Sequence, residues 1–414
     1  MRDRVAFVAL IGFATVMYAL PGEWIAQLAP LRLALLTSGL AAAAMLVRRL
    51  FRAEPIVLDG VRGISLIALA LLALISTTWA INPQAARFTS IELLKLVALY
   101  LTLVNVVNTA ARFRAICLAL MIASMVASIG VIQWFLNGSN LVEGFRARWL
   151  GVYADPNHMA MDLGMVVPLA LSFVTRRTQR PLIRVLAAIA AILVVTAVVL
   201  SHSRGGFIGL CAALVLWMFL SNRRIHAGVV AVLLAIGLGL FAPRSFWQRT
   251  ESVTSFHEDA SAMGRVYAWK VISEMNLDKP LLGVGAGGFR YAWPLYAPPE
   301  AKRAYVAHNI FLDVLGELGL VGLVFFLLFV GGAAGGAFAA ARSGKLEGLG
   351  TAIAASVAGY LVCDLFSGYL LSPHSYVLFG LAASAHRIVR AAGSERRPDI
   401  QPVISPTLPT ASKA

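Results

Sequence analysis

The sequence predicts an all-α polytopic membrane protein, on three observations. Hydrophobic residues make up 59% of the chain, only 13% of residues are charged, and the mean hydropathy is +0.79, far from the balance of a soluble domain. Apolar runs long enough for a bilayer core, which takes roughly 20 residues of helix, recur along most of the 414 residues. The short alternating segments of a membrane β-barrel are missing from the pattern.

Hydropathy places about twelve transmembrane helices, near 5–20, 31–47, 63–79, 88–107, 113–136, 158–174, 182–200, 205–220, 226–241, 311–334, 348–371 and 374–390. The first run follows a short basic start, but Pro21, Gly22 and Glu23 give no small-residue cleavage site, so it reads as a retained span. Residues 1–241 thus hold nine spans, 242–307 form one large external loop with an amphipathic helix, and 308–392 hold three more. Residues 393–414, rich in Pro, Ser and Thr, read as a disordered cytoplasmic tail.

The net charge of +15 is a matter of topology rather than of nucleic acid. Short loops dense in arginine, such as RRLFR from Arg48 and TRRTQR from Thr175, alternate with poorer ones, and the positive-inside rule puts both termini in the cytoplasm. Cys117, Cys211 and Cys363 all fall inside apolar runs, which leaves neither a disulfide framework nor a CxxC metal site.

That orientation leaves Arg146, Arg148, Arg204, Arg265 and Arg290 outside, where charge sorting gives no reason for them. Met263 to Leu320 is the long polar interruption of the apolar pattern, and it gathers Arg265, Lys270, Arg290, Lys302, Arg303 and His308. Fixed positive charge with one imidazole suits an anionic, phosphorylated ligand at a membrane surface.

Four segments carry these residues. In RARWLGVYADPNHMA, Asp155 suits an N-cap and Pro156 the first helical position; Arg146, Arg148, Asn157 and His158 then either face a polar ligand or belong only to a capped helix start. SHSRGGF joins two spans with almost no loop, so Arg204 lies at membrane depth, by default a functional position. GRVYAWKVISEMNLDKP sets Val266, Trp269, Ile272 and Met275 at helical spacing, an amphipathic helix lying on the membrane, with Arg265 in its first turn. AHNIFLDVLGELGL puts Asn309 at an N-cap and His308 just before it, where the helix dipole disfavours imidazolium and leaves a neutral base.

GVGAGGF at Gly283 contains GxGxxG without the strand and helix of a dinucleotide site, so it reads as a flexible turn. Asp313 and Glu317 share a face and tie helices together or meet a ligand. Glu92 and Lys95 read as an intrahelical pair, and Asp162, Asp364 and His374 sit at or near membrane depth with no assigned role. The external loops offer no cluster at metal-ligand spacing and no Asp-x-Asp, so the chemistry expected is metal-independent and needs no cofactor.

In this order, GVYADPNHMA, SRGG, GRVYAWKVISEMNLDKPLLGVGAGGF and AHNIFLDVLGELGLVGL resemble the O-antigen ligase and polymerase superfamily of bacterial envelope glycosyltransferases. The resemblance runs from Arg146 to Leu323. It implies an inner-membrane enzyme with a periplasmic site, which moves a glycan from undecaprenyl diphosphate to an acceptor. Length, span number and one late loop look most like an O-antigen ligase, with lipid A core oligosaccharide as acceptor. His308 then serves as catalytic base, and Arg265 and Arg204 stabilise the diphosphate leaving group. Arg146, Arg148, Arg290, Asn157, His158 and Asn309 bind substrate. A glycan polymerase, a protein O-oligosaccharyltransferase and, from another class, a transporter of a lipid-linked anion are the competing readings.

Overall fold

The computed structural model describes residues 3–176, 178–221, 228, 260–301 and 303–394. The span expected at 226–241 apart from residue 228, the stretch 242–259 of the loop expected to follow it, Lys302 and the tail from 395 lie outside the described residues. Among the described residues the fold is all helix, and its one β feature is an isolated bridge between Val142 and Arg146.

Fourteen helices carry the architecture: α1 (Arg4–Ala19), α2 (Leu33–Arg52), α3 (Gly60–Ile75), α4 (Pro83–Val106), α5 (Ala110–Leu136), α6 (Pro156–Gly164), α7 (Val167–Thr175), α8 (Pro181–Leu200), α9 (Arg204–Leu220), α10 (Ala260–Asp278), α11 (Phe289–Tyr296), α12 (Ile310–Ser343), α13 (Leu349–Asp364) and α14 (Pro373–Ser394). Among the described residues, seven stretches are long and apolar enough to cross a membrane: Ala26–Arg52, Gly60–Thr78, Pro83–Val106, Ala110–Leu136, Pro156–Thr175, Pro181–Leu200 and Ile310–Ser343. Three of the expected spans correspond to the shorter apolar helices α1, α9 and α13.

The bundle is held by close helix contacts rather than by large polar networks. On α9, a Cβ on Gly209 would stand 2.1 Å from Cys363 Sγ and 2.6 Å from the Gly359 carbonyl, so only glycine lets α9 and α13 approach this closely. At the periphery, α2 buries only Ala41 and Met45 and leaves Leu36, Leu40, Leu50 and Phe51 facing outward, as a lipid-exposed helix does. At the end away from Arg146 and His308, Arg48 pairs with Asp3 and Glu54, and Arg62 with Asp59.

Two expected spans are broken. The run expected at 158–174 divides into α6 and α7 around Met165 and Val166, because Pro168 in the first turn of α7 has no N–H with which to continue the ladder. The last long span departs from helix at Gly319, with φ 66° and ψ −167°, a conformation open essentially to glycine alone. The backbone groups freed there are taken up by the preceding segment: Leu320 N–H donates to Pro280 O (2.9 Å), and Gly316 and Glu317 carbonyls accept from Val284 (3.1 Å) and Gly285 (2.8 Å). Irregular backbone at this depth is tolerated because protein satisfies it.

The segment GVGAGGF is therefore a fixed turn rather than a flexible one. Glu317 accepts from Gly287 N (2.7 Å) and Phe289 N (3.3 Å), which settles its role as the clamp of this turn. The amphipathic helix α10 also differs from expectation: its buried face is Ala268, Val271, Ile272 and Met275, and Trp269 is 37% exposed. That face packs on protein. A Cβ on Gly316 would stand 3.1 Å from Met275 and 3.3 Å from Ile272, and the same residues form a satellite core with Phe289, Trp293 and Ala307.

Candidate active site

The site is built where the starts of α6, α9 and α12 meet α10. Asp155 caps α6: its Oδ1 accepts from Asn157 N (2.6 Å) and His158 N (3.3 Å), and Pro156 occupies the first helical position. Both caps expected from sequence are in place, since Asn309 Oδ1 accepts from Phe311 N (3.0 Å) and Leu312 N (3.1 Å) at the start of α12.

Arg146 ties the first two of these starts together. Its Nε donates to Ser201 O (3.1 Å) and its Nη2 to Asn157 Oδ1 (2.8 Å), with Glu143 3.6 Å away. It is 5% exposed. A guanidinium this buried is tolerable only with such a set of acceptors. Arg148 donates to Asn140 O (2.9 Å) and Ala154 O (3.5 Å), which shapes the loop before α6.

His308 takes a left-handed backbone, φ 51°, just before the Asn309 cap. The preceding carbonyl, Ala307 O, accepts the Trp269 indole N–H at 3.0 Å, so the histidine hangs from α10. Its ring centroid lies 6.4 Å from that of His158, which also meets the Tyr369 ring at 4.3 Å. The Nδ1 of His308 is buried without a hydrogen-bond partner.

Charge around this imidazole keeps it neutral. Burial first, then the Arg265 guanidinium, push the His308 pKa down to about 4; Asp155 opposes the shift, while His158 and Arg146 add to it. At Asp155 burial acts upward, but the His158 and His308 imidazoles once protonated, together with the Asn157 and His158 N–H groups, outweigh it and hold the carboxyl below its usual range. The start of α12 adds its own positive end.

The structure thus brings Arg146, Asn157, His158, Arg265 and His308 into one electrostatic neighbourhood. Arg204 shares its scaffold: it opens α9 after the Ser203 cap, next to the Ser201 carbonyl held by Arg146. The adjacent Gly205 packs on Phe366 and Ser367, and Ser367 backbone bonds His158. Arg290 is not part of the cluster. It is exposed on α11 and is not among the groups acting on His308.

Three contributions escaped the sequence reading: Asp155 acts on His308 as well as capping, Trp269 fixes the base, and Tyr369 packs on His158. Asp155 was legible only as a cap, and Trp269 was counted in an apolar stripe rather than as an N–H donor. The expected Glu92–Lys95 pair is formed at 2.6 Å and lines a cavity of about 550 Å³ between α1, α2 and α4.

Fold and site together define a multi-pass, all-helical membrane protein whose polar centre joins a neutral histidine to clustered arginines at one end of the bundle. Residues 187–327, about a third of the chain, match the family model described as O-antigen ligase. The match supports an O-antigen ligase-type family, and with it a glycosyltransferase-like enzyme of the O-antigen ligase and polymerase type. It contains Arg204, Arg265, Arg290, His308 and Asn309, while Arg146, Arg148, Asn157 and His158 lie upstream of it. No curated protein matches the chain.

Proposed function

We propose that the protein is an O-antigen ligase. It transfers a glycan from undecaprenyl diphosphate to lipid A core oligosaccharide at the periplasmic face of the bacterial inner membrane, with both termini cytoplasmic. The observation that carries this reading is His308, neutral at physiological pH through burial and through Arg265, at a point where helix N-termini converge.

The chemistry follows from those groups. The acceptor hydroxyl gives its proton to neutral His308 as its oxygen bonds to the anomeric carbon. The bond from that carbon to the diphosphate oxygen breaks in the same displacement, and the centre inverts. Charge developing on the diphosphate is met by Arg265 and Arg204, with Arg146 behind them and the positive ends of α6 and α12 beside them. Asn157, His158 and Asn309 border the same space; Arg148 and Arg290 serve binding at its margin. Arginines answer the phosphate charge, so no divalent metal is called for.

The test is glycan transfer by purified protein from an undecaprenyl diphosphate-linked donor to lipid A core, in the presence of chelator. Transfer to the core is the expected result. Lengthening of the donor glycan with the core ignored makes the protein a polymerase, and transfer to a protein acceptor makes it a protein O-oligosaccharyltransferase. Movement of the donor across the bilayer with no transfer makes it a transporter.

A further inference from the structure

Below the site, at membrane depth, Asp162, His374 and Tyr153 meet within a buried polar group that also includes Tyr360 and Ser372, and nothing in the transfer chemistry above uses them. Asp162, one turn along α6 from His158, presents Oδ2 to His374 Nδ1 at 3.1 Å, and both side chains are fully buried. On the other side of the imidazole, the Tyr153 hydroxyl lies 3.0 Å from Nε2, and Tyr153 is also fully buried. The second carboxyl oxygen of Asp162 lies 3.2 Å from the Tyr360 hydroxyl, which is 3.1 Å from Ser372 Oγ. Tyr18 donates to the Asp162 backbone carbonyl at 3.0 Å.

Groups of this kind in hydrocarbon cost several kcal/mol when unpaired, and replacing such a network by apolar side chains of similar size is often neutral or stabilising. Packing alone therefore does not call for a carboxyl, an imidazole and a phenol here. What the three join is specific. Tyr153 belongs to the turn Gly151–Ala154 that leads into the Asp155 cap, Asp162 lies on α6 behind His158, and His374 stands at the start of α14, just after the turn that carries Tyr369. The His158 ring stands 4.3 Å from the Tyr369 ring and 6.4 Å from that of His308.

We propose that Tyr153, His374 and Asp162 form a buried positioning triad, which fixes the Asp155–His158 turn and the Tyr369 turn relative to each other and so sets where His158 stands against His308. This rests on the transferase reading. The Tyr153 hydroxyl and His374 Nε2 share a hydrogen bond, Asp162 Oδ2 stands against the far ring nitrogen as a close contact without hydrogen-bond geometry, and removing the phenol oxygen releases the turn at its anchor. None of the three touches substrate.

The experiment compares full-length Tyr153→Phe with Ser384→Ala, a control that also deletes a buried hydroxyl but away from the site, where Ser384 donates to Leu103 O at 3.3 Å. A displacement of the base of about 1 Å changes rate by up to roughly 100-fold, so Tyr153→Phe is expected to lower kcat at least about tenfold with KM for donor within about twofold. Ser384→Ala is expected to keep kcat at a similar melting temperature. Diethyl pyrocarbonate labelling of His308, read by mass spectrometry, is expected to rise severalfold in Tyr153→Phe and not in the control. Wild-type kcat and wild-type labelling in Tyr153→Phe overturn the triad. Absence of transfer in the wild type itself overturns the transferase reading instead, and the labelling then decides the triad alone.

Discussion

The Trp269 indole N–H donates to the Ala307 carbonyl at 3.0 Å, one residue before His308. The base is thus held from the helix that also carries Arg265, so base and cation are set by one rigid element. Trp269 is 37% exposed, which leaves this hydrogen bond, rather than burial, as the main thing the residue supplies.

Trp269→Phe keeps the aromatic ring and loses the donor. It is expected to lower kcat by about tenfold, a rise of roughly 1.4 kcal/mol in the barrier, with donor binding little changed. Steady-state kinetics beside a donor-binding titration check the split.

The pH profile of kcat/KM reports groups of the free enzyme. With the His308 pKa at about 4, the base stays neutral as pH falls from 8 to 5, so activity controlled by it is flat there and is lost only as pH falls through about 4. Arg265 is one of the groups holding that value down. Arg265→Gln is therefore expected to move the acid limb upward, toward the ordinary imidazole range, in addition to lowering the rate. An acid limb that stays put in the variant contradicts the assigned cause. The same shift makes protonation below about pH 6.5 favour the unfolded chain, since the folded state binds fewer protons there.

Arg146 makes two directed bonds from one planar group, to Ser201 O at 3.1 Å and Asn157 Oδ1 at 2.8 Å. A lysine offers one compact head and satisfies them poorly. Arg146→Lys is expected to cost about 1–3 kcal/mol of stability, the range for hydrogen bonds to a charged group, read as a lower melting temperature and slower transfer.

Gly319 has φ 66° and ψ −167°, and a Cβ there would stand 2.3 Å from the Leu281 carbonyl carbon. Gly319→Ala is expected to abolish a stable product, because backbone strain of about 1–3 kcal/mol adds to a clash with backbone that cannot swing aside. Size-exclusion chromatography of the solubilised protein shows it directly.

Local features were legible in the sequence. Asp155 with Pro156, and Asn309 before its apolar run, announced their helix starts because a cap and its N–H donors lie within three residues of one another. The helical class was legible from apolar length alone. Features that depend on distant partners were not. GVGAGGF looked like a free turn because its clamp, Glu317, lies some 30 residues downstream. Val266 and Trp269 fitted a helical stripe, yet the buried face rotated to Ala268 and Val271, since protein rather than lipid covers α10. The break at Met165 had a local cue in Pro168, whereas that at Gly319 became visible only with the segment that fills it.

The most direct measurement is transfer by a His308→Gln protein, which keeps a neutral polar side chain but cannot take a proton, alongside its affinity for the lipid-linked donor. General-base catalysis of this kind contributes about 10²–10⁴-fold, so kcat is expected to fall by that factor while donor affinity stays within a few-fold of wild type. A His308→Gln enzyme that transfers glycan at the wild-type rate contradicts the account.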